Sequence, residues 1–202
     1  GGGATTTGLV IQYNTFYGSM NHIQMGCTDN TSTVDGMIIR GNTFSGYTQL
    51  SSSGDHPDGI HLHNKSGALR RFSNLEISGN KFYGYWQSSN TGQVYFEDSV
   101  SSARIFNNIF SISNTVGVGG YIFSPGQVVV YGSDNVEIYN NTFCADTIGG
   151  TPNWPLSNII FRVGLSAYSG TFKVKNNIFS GARNSVIYAP TMKVDIDYNL
   201  HT

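Results

Sequence analysis

Five residues able to move protons or grip a ligand crowd into the stretch Gly54–Lys65, GDHPDGIHLHNK: Asp55, His56, Asp58, His61 and His63. Three of the chain's five histidines lie there. After Gly59 the residues alternate, with Ile60 and Leu62 apolar and His61 and His63 polar. That alternation predicts a half-buried strand, because successive side chains on a strand leave opposite faces. Both imidazoles then leave the same face, roughly 6.5–7 Å apart at about 3.3 Å rise per residue. Imidazole titrates near neutral pH, so two beside aspartates suit general acid–base chemistry. The His-x-His spacing also suits a metal, with Asp58 or His56 as further ligands, and Asp-rich turns suit calcium. A polar strand face after a turn is the plain structural alternative.

The elements that must hold these residues come from a repeat. A short pattern returns as VIQYNTFYG (10–18), IIRGNTFSG (38–46), EISGNKFYG (76–84), RIFNNIFSI (104–112), EIYNNTFCA (137–145) and KVKNNIFSG (173–181), with a degenerate DIDYNL (195–200). Asn14, Asn42, Asn80, Asn108, Asn141, Asn177 and Asn199 anchor the copies at spacings of 28, 38, 28, 33, 36 and 22 residues. Periods of this size mark a solenoid, a propeller or an array. No 3.6-residue period is sustained, which excludes a helical solenoid, and a propeller blade needs four strands. Each interval holds a second alternating strand: Ile23–Met25, Ile60–His63, Gln93–Glu97, Val128–Tyr131, Ile159–Val163 and Ser185–Tyr188. The expected rung is strand, turn, strand, Asn turn, short Phe-bearing strand and variable loop. Asn tolerates left-handed backbone at the turn, and its amide can bond to the Asn of the next rung. Phe16, Phe44, Phe82, Phe110, Phe143 and Phe179 should form a buried column.

This strand–Asn–x–Phe rung resembles the right-handed parallel β-helix of the pectin-lyase-like superfamily, over essentially the whole chain. The resemblance implies an all-β solenoid of about seven coils in residues 1–202, a single domain or an excerpt of a longer solenoid. The superfamily includes polysaccharide lyases, mannuronan C5-epimerases, glycoside hydrolases, tailspikes and non-catalytic surface proteins. The resemblance places the substrate groove on the sheet holding Ile60–His63. Aligning the inward Ile60, Val94, Val128 and Ile159 predicts one outward column of His61, Tyr95, Val129 and Ile160, extended by Gln24. The next is His63, Glu97, Tyr131 and Arg162. Asp55-His56-Pro57-Asp58 is similar to the Asp-Pro-His-Asp signature of the epimerases with its middle pair transposed.

The resulting expectation is an extracellular or cell-surface enzyme, a lyase or C5-epimerase acting on a uronic-acid polymer. His61, His63, Tyr95 and Asp58 would be catalytic. Asp55, His56, Lys65, Trp86, Glu97, Tyr131 and Arg162 would bind substrate. Calcium is allowed as a cofactor, with no metal ligands assigned. The alternatives are a glycoside hydrolase using Asp58 or Asp55 with Glu97, and a non-catalytic carbohydrate-binding, adhesin or tailspike-type segment. The stretches Gly46–Gly54, Tyr83–Thr91 with Trp86, and Asp146–Pro155 with Trp154 precede groove strands and would wall one side, where aromatics suit sugar rings.

Composition agrees with this class. The chain has 202 residues, 11% charged, a net charge of −1, 25 glycines and 5 prolines. Such figures suit one domain of short strands and tight turns. No basic patch points to nucleic acid, and no apolar run is long enough to span a membrane as a helix. Cys27 and Cys144 fall several rungs apart, too far for a disulfide, and read as free thiols. A solenoid must cover its end coils, so a flanking domain or an oligomer is expected there.

Overall fold

The computed structural model describes residues 4–19, 21–27, 31–46, 58–64, 71–84, 92–112, 126–145, 157–164, 170–181 and 184–202. Every strand pairing among them is parallel, and the strands stack into sheets whose neighbours are one coil apart in sequence. The chain is a parallel β-helix of seven coils. A six-stranded sheet runs Asn21–Cys27, Asp58–Asn64, Val94–Glu97, Gly126–Tyr131, Ser157–Arg162 and Asn184–Tyr188. A seven-stranded sheet runs from Val10–Gln12 to Val194–Asp197, and another from Thr15–Tyr17 to Leu200–His201. A short three-stranded sheet, Thr5–Thr7, Thr33–Asp35 and Phe72–Ser73, was not expected from the repeat.

The Asn turn is the coil's fixed corner. Each ladder Asn donates from Nδ2 to Oδ1 of the Asn one coil on: Asn14 to Asn42 at 3.1 Å, Asn42 to Asn80 at 3.1 Å, and onward through Asn108, Asn141 and Asn177 to Asn199 at 3.0 Å. The same Oδ1 also accepts the preceding Asn's backbone N–H, and Nδ2 reaches a carbonyl such as Ile39 or Ile77. Burial without loss of hydrogen bonds is thereby achieved for Asn42, Asn80, Asn108, Asn141 and Asn177. One detail of the expectation is corrected. The left-handed residue is the one before the ladder Asn: Tyr13, Gly41, Gly79, Asn107, Asn140, Asn176 and Tyr198, with φ between 52° and 63°.

The phenylalanines two residues later stack face to face along the core. Ring centroids from Phe16 through Phe44, Phe82, Phe110 and Phe143 to Phe179 lie 4.6–5.2 Å apart. All are buried except Phe16, which is half-buried in the first coil. Inward Ile60, Val94, Val128 and Ile159 close the same core from the six-stranded sheet. A second amide column, unexpected from the repeat, sits at the corner between two sheets. Gln93 and Gln127 donate from Nε2 to the Ser111 and Cys144 carbonyls, and Asn158 donates to Gln127 Oε1. Cys144 is a free, exposed thiol.

Candidate functional site

The six-stranded sheet sets the site's register. Gln24 pairs with His61, His61 with Tyr95, Tyr95 with Val129 and Val129 with Ile160. Gly26, His63, Glu97, Tyr131 and Arg162 form the next column. Both columns coincide with those read from alternation. Their environments differ. His61 is only 6% exposed and Tyr95 8%, and Val129 and Ile160 are buried beside them in a small apolar cluster separate from the solenoid core. From His61 to Ile160 the first column is therefore a covered wall, with Gln24 exposed at its start, while in the second column Gly26 and Arg162 are exposed and His63, Glu97 and Tyr131 partly so.

His61 is the hub. Its Nε2 lies 3.1 Å from Glu97 Oε2, and an ionised carboxylate accepts, so Nε2 donates. Its Nδ1 lies 3.7 Å from Asp58 Oδ2. Asp58 is not at a groove edge: it is wholly buried, its Oδ1 accepts the Gly92 N–H at 2.9 Å, and its own N–H donates to Asn21. Asp58 thus backs the imidazole from inside, whereas the Glu97 side chain is 42% exposed. The sequence suggested that Glu97 would sit against His63, its register partner. The two are register partners as read, and the Glu97 carboxylate also reaches diagonally to His61, while the His63 ring lies over Gly26.

Tyr95 stacks on His61 with centroids 4.9 Å apart and planes 29° apart, and His63 lies 5.1 Å away at 48°. Burial first, then the negative charges of Glu97 and Asp58, push the Tyr95 phenol well above its ordinary range. It stays a neutral donor at any physiological pH. Asp98, the next residue, is buried with left-handed backbone, and its Oδ1 lies over Gly132 and Gly164, where a Cβ would collide with it. Its burial and its charge beside Tyr95 were not expected.

No family model, curated protein or solved structure matches the chain. Asp55, His56, Lys65 and Trp86 lie outside the described residues. Among the described residues no three of His, Cys, Asp and Glu converge on a metal position. The one carboxylate of Asp58, Glu97 and Asp98 that solvent reaches freely is Glu97. The arrangement offers a buried carboxylate, an imidazole and an outward carboxylate in series. Such a series can take a proton from a ligand in the second column and return it.

Proposed function

We propose that the protein is an extracellular polysaccharide lyase acting on a uronic-acid polymer, with the His61–Glu97 pair as its acid–base unit. The observation that supports this most is the 3.1 Å contact between His61 Nε2 and the half-exposed Glu97 carboxylate, backed by Asp58 and flanked by Tyr95. In elimination the pair takes the proton α to the uronate carboxyl. The C–H electrons form the ring double bond, the glycosidic C–O bond breaks, and the departing oxygen receives a proton from the same pair. Tyr95, stacked on the His61 ring, holds the pair in orientation. Arg162, two strand spacings from Glu97 or about 9.6 Å along the second column, suits the carboxylate of a neighbouring sugar.

Geometry orders the alternatives. An epimerase adds its proton from the ring face opposite to the one it attacks. The His61 and Tyr95 rings stack on one another at 4.9 Å, too close for a sugar between them, so both serve the same face. A hydrolase needs two accessible carboxyls about 5–9.5 Å apart; wholly buried Asp58 does not suit that role, and Asp55, the other candidate partner of Glu97, lies outside the described residues.

Incubation with a panel of polysaccharides tests this. Unsaturated uronate products, seen by ultraviolet absorbance, are expected. New reducing ends without unsaturation would mean a hydrolase, and saturable binding without product a carbohydrate-binding module. His61→Ala and Glu97→Gln should each lower turnover by roughly 10²-fold or more. Tyr95→Phe, which keeps the proton carriers, should lose less.

A further inference from the structure

We propose that the first three coils carry a second carbohydrate-binding site, a surface patch around Tyr17, Tyr83 and Lys81 that holds a carboxylated sugar chain without cleaving it. The patch lies on the seven-stranded sheet that starts at Thr15–Tyr17, not on the six-stranded sheet of His61 and Glu97. Its residues point outward because the alternate positions, Phe16, Phe44 and Phe82, pack into the core. Register sets two outward columns there. Thr15, Thr43 and Lys81 make one; Tyr17 and Ser45 begin the other, and Tyr83 continues it, its N–H bonded to the Phe44 carbonyl. Tyr17 and Tyr83 therefore stand about 9.6 Å apart along the axis, two strand spacings, with only the small Ser45 between them.

Tyr17 is 80% exposed and Tyr83 47%. The Tyr17 ring is nevertheless held: it leans over Gly46 of the next coil, where a Cβ would lie 2.6 Å from Cε2 and 2.8 Å from Cδ2. A ring propped on backbone and open to water suits the apolar C–H face of a sugar, and its hydroxyl suits the polar rim. Lys81 supplies the charge. Its column neighbours Thr43 and Ile109 are neutral. Arg104, Lys173 and Lys175 are each paired with an acid, whereas among the described residues Lys81 is in no ion pair. Its exposed ammonium is thus available to a sugar carboxylate. Beyond Lys81 the column turns aliphatic, with exposed Ile109 and Ile178, so the patch ends at the third coil. Neither column of the patch holds a carboxylate or an imidazole to serve as base. That the bound chain is also the polymer cleaved rests on the lyase reading; that the patch takes a carboxylated sugar rests on the tyrosines and Lys81.

The test is titration of the full chain with hexamers of galacturonate and of mannuronate, read by calorimetry and by backbone amide NMR. At least one hexamer should shift the amides of Ser45, Gly46 and Gly84. Tyr17→Ala and Tyr83→Ala should each weaken that binding by about tenfold, whereas Tyr17→Phe, which keeps the ring, should retain most of it. Lys81→Ala should remove most of its salt dependence, and reducing the sugar carboxyls to alcohols should do the same to the wild type. Arg162→Ala should leave these amide shifts unchanged. The proposal is overturned if neither hexamer moves these amides, if the tyrosine variants bind as the wild type does, or if a hexaglutamate peptide binds there as tightly as the sugars. The two readings fail separately. Turnover with silent patch amides keeps the lyase and removes the patch; patch binding with no unsaturated product from any polymer keeps the patch and removes the lyase.

Discussion

His22 is a residue whose charge the fold tolerates poorly. Its ring lies 6.1 Å from Phe16 and 5.9 Å from Phe44, against the start of the aromatic column. Burial lowers its pKa to about 4, partly offset by a bond to the Ser45 backbone. Above pH 6.5 His22 is neutral folded or unfolded and costs nothing. Between 6.5 and about 4 the unfolded chain binds a proton that the folded one refuses, so stability falls with pH and levels off below about 4. Thermal melts at pH 7, 5 and 4 should show this slope, and His22→Leu should flatten it relative to wild type. At this scale the sequence was legible where alternation governed: His61 and Tyr95 are strand neighbours as read. It was not legible where a neighbour's missing side chain governed, since nothing in His61-x-His63 says that Gly26 receives one ring. A signal for the covered wall was present, because Val129 and Ile160 continue the outward column of His61 as aliphatics.

The Asn corner carries more of the coil's stability than its exposed pairs do. Asn108→Ala would strand the Asn80 N–H and Nδ2 and the Ile77 carbonyl, all within the buried ladder, at about 1–3 kcal/mol for each group left unsatisfied. Phe110→Ala should cost about 3–5 kcal/mol, since its ring is fully buried between Phe82 and Phe143. By contrast Glu137→Gln, which removes a 2.6 Å pair to an exposed Lys173, should cost less than about 1 kcal/mol. Urea melts of the three variants rank them. The Asn and Phe columns were readable because every copy repeats them at one offset. The Gln93–Gln127–Asn158 column was not, because its members change type from one strand to the next. The three-stranded sheet of Thr5–Thr7, Thr33–Asp35 and Phe72–Ser73 shares only Thr5 with Thr33 in register, too little to show as a repeat.

Along the whole solenoid, each face is specialised. On the seven-stranded sheet starting at Val10–Gln12, Glu76, Arg104, Glu137, Lys173 and Asp195 stand in register with alternating sign. Contacts at Arg104–Glu76, Lys173–Glu137 and Lys175–Asp195 balance that face, so it offers a polyanion no net attraction. On the proposed lyase reading, the column from Gly26 to Arg162 is the face that meets the acidic polymer. Arg162→Ala should accordingly weaken uronan binding and reduce its salt dependence, whereas Arg104→Ala should change neither; titration calorimetry at two ionic strengths separates them. Coils touch only their neighbours, so unfolding should proceed by groups of coils, with hydrogen exchange fastest in the first and last.

The amide ladder gives the molecule an electrical direction. From Asn14 to Asn177 one N–H of each Nδ2 points toward the next coil, while the other turns to a backbone carbonyl, and each Oδ1 from Asn42 to Asn199 faces the coil before it. The six aligned amide–amide bonds add as peptide units add along a helix, with the positive end toward Asn199. Asp195 and Asp197 stand in that coil. A charged chain laid along the axis therefore meets a field that differs from one rung to the next, and its two orientations are not equivalent in energy.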